Sequence, residues 1–323
     1  MGEKTGGAAI HRMATLRLAG SASSVALALM LAAEPGWAQQ VIGGNDTEIV
    51  DGNDPGGTGA GTQPSPWTIN NDLLIGEQSG DDAALIIRNG GDVSNDTGVL
   101  GVDPGAAGTV TVTGPGSTWS NSDDLYVGHQ GTGTLSIEDG GVVDNAVGYV
   151  GYFSGASGSI TVTGAGSTWT SSQDLTIGDS GTGTLTISNG GTVNSASGYI
   201  SNDSSAVGEV IVTGANSLWN NSVEVSVGTA GAGTLTVSNG GSVTSSFGYV
   251  GFSTNGSGVA SVTGAWSSWI NSSELYVGEF GSGSVTIENG GMISASGVIV
   301  ADDSGATGTV NIAGSAGNGR GDL

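Results

Sequence analysis

The chain has 323 residues, of which 63 are glycine, and only 11% are charged. Lys and Arg together number 5, against 29 Asp and Glu, which gives a formal net charge of −24. So few cations cannot neutralise a run of phosphates, and binding to nucleic acid or to an anionic membrane surface is strongly disfavoured. Cysteine is absent, which excludes a disulfide scaffold, thiolate metal sites and a cysteine nucleophile.

Residues 1–38 have the pattern of a secretory signal peptide. Lys4, Arg12 and Arg17 precede an apolar stretch over residues 25–33, and small residues before the predicted cleavage at Ala38 complete the pattern. The apolar stretch is well short of the ~20 residues that a membrane-spanning helix needs, so a permanent anchor is disfavoured. We expect the mature chain to be exported and soluble.

Residues 39–66 are rich in Gly and Asp. They superficially resemble calcium-binding nonapeptide repeats but lack the nine-residue recurrence of such repeats. We therefore expect a flexible lead-in segment here, without a calcium site.

Residues 67–314 contain five copies of a unit of about 50 residues, each marked by one Gly pair and by one member of a recurring tryptophan column. The tryptophan column comprises Trp67, Trp119, Trp169, Trp219 and Trp269. Self-similarity at a fixed period is the signature of a repeat architecture, which must be identified before single residues are interpreted.

Each copy has two similar halves of about 25 residues, in which apolar side chains alternate with Thr or Ser as in a half-buried strand. Turns of this length, with short strands separated by Gly or Asn, are typical of one coil of a parallel β-helix. The sequence therefore predicts an all-β, right-handed parallel β-helix of about ten coils, on the order of 50 Å long. A β-propeller is the alternative, because kelch repeats also span ~50 residues, but a half-repeat has no counterpart in a four-stranded blade.

The Gly pair of each copy predicts a tight turn. An Asn, or an Asp in the second copy, precedes the pair, and these residues tolerate the positive φ that such a turn needs. The predicted turn positions are Asn89, Gly90, Gly91, Asp139, Gly140, Gly141, Asn189, Gly190, Gly191, Asn239, Gly240, Gly241, Asn289, Gly290 and Gly291.

Two aromatic columns are expected along the helix. The tryptophans would lie on alternate coils, about 10 Å apart, either packed in the core or exposed as a contact strip. Packing is favoured because large aromatic side chains are mostly buried. The second column has Tyr149, Tyr199 and Tyr249, with Val99 and Val298 in their place in the outer copies, and its burial is open.

One position of each copy is acidic. This predicted acidic row comprises Asp72, Asp124, Asp174, Glu224 and Glu274. Members about 10 Å apart cannot share a calcium ion whose oxygen ligands lie at about 2.3–2.6 Å. A solvated acidic stripe is favoured over a calcium site, and we expect no cofactor.

Candidate catalytic groups are scarce. After residue 38 the chain has one histidine, His129, and neither Lys nor Cys. Asp179 and Glu279 occupy the position of His129 in other copies, so we interpret His129 as a solvated, variable loop residue. Consecutive acids such as Asp123 and Asp124 point to opposite faces of a strand, which disfavours a glycosidase pair. We expect no enzyme, with a polysaccharide-processing β-helix enzyme as the less favoured alternative.

The segment Gly-Thr-Leu-Thr-Ile-Ser-Asn-Gly-Gly at residues 183–191 is followed by Val-Thr-Gly-Ala-Asn-Ser-Leu-Trp at residues 212–219. Together they resemble the T5SS- and PEP-CTERM-associated repeats of autotransporter (type V secretion) passengers and of some exoproteins with a sorting signal. The resemblance covers about residues 67–314. It implies a passenger that crosses its own outer-membrane translocator barrel and is displayed on a Gram-negative cell. No barrel pattern follows residue 314, so we expect residues 315–323 to be a truncated tail.

The expected function is adhesion or aggregation by a surface-exposed or secreted passenger, through a repetitive face that contacts a host or bacterial surface protein or glycan. A structural extracellular spacer or matrix protein without a defined receptor is the alternative. An open coil at a truncated end would present unpaired strand edges, so self-association is also expected.

Overall fold

The computed structural model describes residues 39–314. The predicted signal peptide, the cleavage site at Ala38 and the tail at residues 315–323 lie outside the described residues. Every regular element between residues 39 and 314 is a β-strand. Across these coils there is no helical segment with the length and apolarity that crossing a bilayer requires.

One face of each coil is a long strand, typically of seven residues. Its buried and exposed positions alternate, as in Thr182–Ser188, because a small or apolar side chain points inward at every second residue. We call these twelve parallel strands the long-strand sheet. It contains Thr47–Asp51, Thr62–Gln63, Asp82–Arg88, Ala107–Thr113, Thr132–Glu138, Ser157–Thr163, Thr182–Ser188, Val207–Thr213, Ala232–Ser238, Ser257–Thr263, Ser282–Glu288 and Thr307–Ala313.

The rest of each coil contributes two short strands to a second, nineteen-stranded parallel sheet. These strands stack in two ladders, and Thr192–Ile200 and Leu218–Val227 run through both. The Trp ladder also contains Trp67–Thr68, Asp92–Asn95, Thr118–Asn121, Val142–Asn145, Thr168–Ser171, Ser242–Ser245, Ser268–Asn271 and Met292–Ser294. The Tyr ladder also contains Gln40–Ile42, Leu73–Ile75, Gly98–Leu100, Leu125–Val127, Gly148–Val150, Leu175–Ile177, Phe247–Val250, Glu274–Val277 and Gly297–Val300.

The strand register establishes the coil. Ser157 pairs with Thr182 and Thr182 with Val207, so each turn of the chain returns to the same place after 25 residues. One coil runs from a long strand through the Gly-pair turn to the Trp ladder, then to the Tyr ladder, and back to the long-strand sheet. The structure confirms the predicted right-handed parallel β-helix of about ten coils. The propeller is wrong, because successive strands pair between coils rather than within a blade.

The segment at residues 39–66 differs from the expected flexible lead-in. Gln40–Ile42 pairs with Leu73–Ile75, and Thr47–Asp51 pairs with the long strand Asp82–Arg88. The helix therefore begins before Trp67. These strands have few alternating apolar residues, so their own sequence gives a weak strand signal. Pairing with the strands of the following coil holds them in place.

Candidate functional site

The tryptophan column lies in the core. Trp119, Trp169, Trp219 and Trp269 are fully buried and Trp67 is 9% exposed. In the Trp ladder, Trp169 pairs with Val143 on one side and Val193 on the other. A large and a smaller side chain therefore alternate from coil to coil, which explains why the period is two coils. These rings are not available as a contact strip.

A row of buried Asn and Ser side chains lies beside the tryptophans. Trp119 Nε1 donates a hydrogen bond of 2.7 Å to Asn95 Oδ1, and Trp169 Nε1 donates one of 2.7 Å to Asn145 Oδ1. Asn95 Nδ2 also donates to Asn121 Oδ1 in the next coil, at 2.8 Å. The row thus satisfies the indole donors of Trp119 and Trp169 and links successive coils.

Trp219 breaks this pattern. The position of the amide acceptor is occupied there by Ser195, whose hydroxyl donates to Asn221 Oδ1 at 2.6 Å. Among the described residues, Trp219 Nε1 has no hydrogen-bond partner although it is buried. A buried donor without an acceptor lowers the free energy of unfolding, because it has lost its hydrogen bond to water without gaining another.

The predicted turn positions serve backbone geometry in all five copies. The Asn or Asp has a φ of 51–54° and the first Gly of each pair a φ of 81–88°. The second Gly is required for a different reason. A Cβ on Gly191 would lie 2.4 Å from the carbonyl oxygen of Val162 in the previous coil. Glycine is needed here for the close approach of two backbones and not for positive φ.

The acidic row lies where the chain enters the Tyr ladder. Asp124 Oδ1 accepts a hydrogen bond from the Val147 N–H at 3.2 Å, and Asp72 Oδ1 accepts one from the Thr97 N–H at 3.3 Å. Asp124 Oδ2 also accepts a hydrogen bond from the Tyr126 hydroxyl at 3.3 Å. These members bind the neighbouring coil. Over residues 39–314, no three His, Asp or Glu side chains converge in a way that could hold a metal ion.

A cluster of rings covers part of the Tyr ladder. We call Tyr126, His129, Tyr149, Tyr152 and Phe153 the first aromatic patch. Tyr126 and Tyr149 stack with ring centroids 5.0 Å apart and planes 8° apart, and Tyr152 packs edge-on against both. The tyrosines are half-buried, and Phe153 is 43% exposed. The stacked tyrosines and Phe153 are thus partly presented to solvent.

His129 belongs to this patch. Its side chain is buried, its Nδ1 lies 3.2 Å from the Val102 carbonyl oxygen, and its ring contacts Tyr152 and Phe153 of the next coil. The prediction of a solvated side chain is wrong, because bulky rings cover the loop in this coil. Burial lowers the pKa of His129. The hydrogen bond to the Val102 carbonyl and the charge of Asp103 act in the opposite direction and raise this pKa, but by less.

A second aromatic patch lies five coils further along the same ladder. It comprises Phe247, Tyr249, Phe252, Tyr276 and Phe280. Tyr249 and Tyr276 stack at 5.2 Å with planes 14° apart, Phe252 packs edge-on against Tyr249, and Phe280 is 43% exposed. With ~4.8 Å per coil, the two patches are about 24 Å apart along the helix axis. The coils between them carry Thr176, Tyr199 and Ser226 in the tyrosine column.

Carboxylates surround the first aromatic patch. Burial raises the pKa of Asp124, and the charge of Asp123 adds to this effect. Burial also raises the pKa of Asp179, against a hydrogen bond from Asn202 that lowers it. The pKa of Tyr149 rises to about 12 because of burial and then the charge of Asp124.

The second aromatic patch has the same surroundings. Burial raises the pKa of Glu279, and the charges of Asp302 and Glu224 act in the same direction. One carboxylate oxygen of Glu279, Oε2, is buried and has no hydrogen-bond partner among residues 39–314. Glu274 and Glu279 also raise the pKa of Tyr276, after the effect of burial.

Among the described residues, no Lys or Arg lies near enough to offset these charges. Residues 89–314 contain neither Lys nor Arg. Arg88 belongs to the long-strand sheet, where its Nε lies 2.8 Å from Asp51 Oδ2. The patches are therefore aromatic surfaces in a purely anionic setting.

A shallow cavity borders the exposed phenylalanine of each patch. One of about 420 Å³ is lined by Phe153, Pro104 and Gln130. Another of about 300 Å³ is lined by Phe280, Asp303 and Asn255 among others. Partly exposed rings, carboxylates and shallow cavities thus lie together at each patch.

Sequence reasoning found only part of this face. The column of Tyr149, Tyr199 and Tyr249 was identified at the 50-residue period, but Tyr126 and Tyr276 lie in the other half-repeat. Comparison at 25 residues would have found them. The strand register also corrects the member of the tyrosine column that was predicted in the last copy. Ile299, and not Val298, pairs with Tyr276 there.

No family model matches the chain, and no curated protein matches it. Among solved structures, the chain is similar to a hyper-glycosylated TibA fragment whose glycosylation is catalysed by TibC. The two share 16% sequence identity and a TM-score of 0.35, over 85% of this chain and 94% of that one. At this level, the assignments of fold and site rest on the strand register and the side-chain geometry of the chain itself.

Proposed function

We propose that the chain is an exported, surface-exposed or secreted adhesive protein of the autotransporter-passenger kind, and that the two aromatic patches form its binding face. The observation that carries the proposal is the clustering of half-exposed rings at two places on one ladder. Aromatic side chains are enriched at the centres of protein interfaces, and exposed clusters of them mark interaction sites. Cell-surface or extracellular display and a translocator barrel as export partner belong to the same proposal.

The proposed role is non-enzymatic. The acidic row is engaged in coil-to-coil hydrogen bonds at Asp72 and Asp124, and His129 is enclosed by rings. None of these groups is placed beside a second group that would activate a nucleophile. Contact through two repeated patches instead suits a protein that holds a partner by several weak interactions.

The test is the retention of the full chain on bacterial and epithelial cells, together with its effect on bacterial aggregation. The test variant is the double substitution Phe153→Ala with Phe280→Ala, which removes one exposed ring from each patch. Its matched control is Trp266→Ala, which removes an exposed ring elsewhere. Trp266 is 90% exposed and lies in a turn after a long strand.

We expect the parent and Trp266→Ala to be retained equally, and the double variant to lose most of its retention. Equal retention of all three chains would contradict the binding face, and retention of none would favour a spacer. Degradation of a polysaccharide by the purified chain would overturn the non-enzymatic role.

A further inference from the structure

We infer that the two aromatic patches together bind one extended, cationic polypeptide segment that carries Lys or Arg side chains. This inference rests on the proposed function and names the chemical class of its partner. It follows from the chemistry around the rings, from an unpartnered carboxylate oxygen, and from the spacing of the patches.

The rings and carboxylates are complementary to a cation. The face of an aromatic ring attracts an ammonium or guanidinium group, and a nearby carboxylate adds a charge-assisted hydrogen bond. In the first aromatic patch, Asp124 and Asp179 act electrostatically on Tyr149 and Tyr152. In the second, Glu274 and Glu279 act on Tyr276.

Glu279 supplies an independent observation. Its Oε2 is buried without a hydrogen-bond donor among the described residues, and Phe280 of the second aromatic patch follows it in the chain. A buried carboxylate oxygen without a partner costs free energy that an incoming Lys or Arg would recover. No Lys or Arg in residues 89–314 can take that place.

The spacing selects an extended segment. The patches lie about 24 Å apart along the helix axis, which an extended chain spans with about seven residues. One segment that carries cations at both ends can thus contact both patches, and the second contact becomes intramolecular. The net charge of −24 would also steer such a segment towards the protein.

The experiment measures binding of three synthetic peptides to the full chain by fluorescence anisotropy. The first has two Arg-Arg pairs separated by seven Gly or Ser residues, the second has the pairs separated by two such residues, and the third has Glu in place of Arg at the long spacing. The variants are Asp179→Asn with Glu279→Gln, and Phe153→Ala with Phe280→Ala. Glu209→Gln is the charge control, because Glu209 is exposed on the long-strand sheet, and Trp266→Ala is the ring control.

We expect the long-spaced Arg peptide to bind at least about tenfold more tightly than the short-spaced one. Each of the two patch variants should lower the affinity for the long-spaced Arg peptide about tenfold, whereas each control variant should change that affinity less than about twofold. Added salt should also lower this affinity, because it screens the charges. Circular dichroism of each variant separates loss of binding from loss of fold.

Equal binding of the Glu peptide, or unchanged binding by both patch variants, would overturn the inference. Patch-dependent retention on cells without binding of the Arg peptides, or with binding of a neutral oligosaccharide in their place, would overturn this inference alone. Failure of both the cell assay and the peptide assay would overturn the proposed function as well.

Discussion

Trp219 and Ser195 show how one residue of a repeat affects the coil beside it. At the corresponding place, Asn95 accepts a hydrogen bond from Trp119 and donates one to Asn121, both in the next coil. We predict that Ser195→Asn supplies the missing acceptor for Trp219 Nε1, keeps a donor to Asn221, and raises the free energy of unfolding by about 0.5–1.5 kcal/mol. Urea denaturation measures the change, and Asn145→Ser is the reciprocal variant, which should lower stability. A destabilised Ser195→Asn would show that the interior lacks room for the amide.

Trp266 has an unfavourable backbone conformation. Its φ is 70° and its side chain is 90% exposed, whereas Gly116 and Gly166 occupy the same turn position in earlier copies. We predict that Trp266→Gly raises the free energy of unfolding by about 0.5–1 kcal/mol, because a left-handed conformation costs a residue with a Cβ about 1–2 kcal/mol. Trp266→Ala keeps the Cβ and should give no such gain in thermal denaturation. Equal effects of the two variants would contradict this explanation.

At this scale the sequence was informative about the interior and less so about the surface. The burial of Trp169 follows from its recurrence and size. The patch around Tyr126 and Tyr149 did not follow, because its rings come from loops and half-repeats that differ between copies. Their proximity depends on the register of 25 residues and on side-chain directions that no single segment reveals.

At the scale of the strand and turn, the two glycines of a pair have different roles. Gly190 has a φ of 88° and an added Cβ would meet nothing nearer than 3.6 Å, whereas a Cβ on Gly191 would lie 2.4 Å from a backbone oxygen. We predict that Gly190→Ala lowers the free energy of unfolding by about 1–2 kcal/mol. Gly191→Ala should cost about 3 kcal/mol, since two packed backbones must separate. Urea denaturation compares them, and a larger cost for Gly190→Ala would contradict the assignment.

The strands were predictable where the pattern is regular. The alternation in residues 182–188 and the Gly pair that follows predict a long strand and a tight turn, and the structure has both. The strands at residues 40–42 and 47–51 were not predicted. They are short, and pairing with later strands rather than their own pattern holds them in place.

At the scale of the whole protein, stability and ligand binding should respond to pH in opposite directions. Burial raises the pKa of Asp124, Asp144, Asp179 and Glu279, so the folded chain binds more protons than the unfolded chain between the two sets of pKa values. The stabilising contribution of these carboxyl groups is therefore fully present below their ordinary pKa values and is lost as the pH rises through the raised ones. His129 contributes in the opposite direction, because burial lowers its pKa and it lowers stability as the pH falls below its ordinary value. Protonation of Asp124, Asp179 and Glu279 removes negative charge from the patches and should weaken the binding of a cationic ligand.

Thermal denaturation and peptide binding, each measured as the pH falls from about 7 to about 4, check this prediction. Asp179→Asn removes one of the titrating groups, so it should reduce the change in stability with pH. An Asp179→Asn variant whose stability changes with pH as much as that of the parent would contradict the prediction.

The proposed binding face requires that the 25-residue coils place the two aromatic patches on one face, five coils apart. Because the chain has no cysteine, Phe153→Cys with Phe280→Cys allows two spin labels to be attached at these sites alone. Double electron–electron resonance on the full chain should give a single distance near 24 Å, broadened by the label linkers, since five coils rise about 24 Å. A distance beyond about 40 Å, or a distribution without a peak, would contradict the stacked coils and with them the shared binding face.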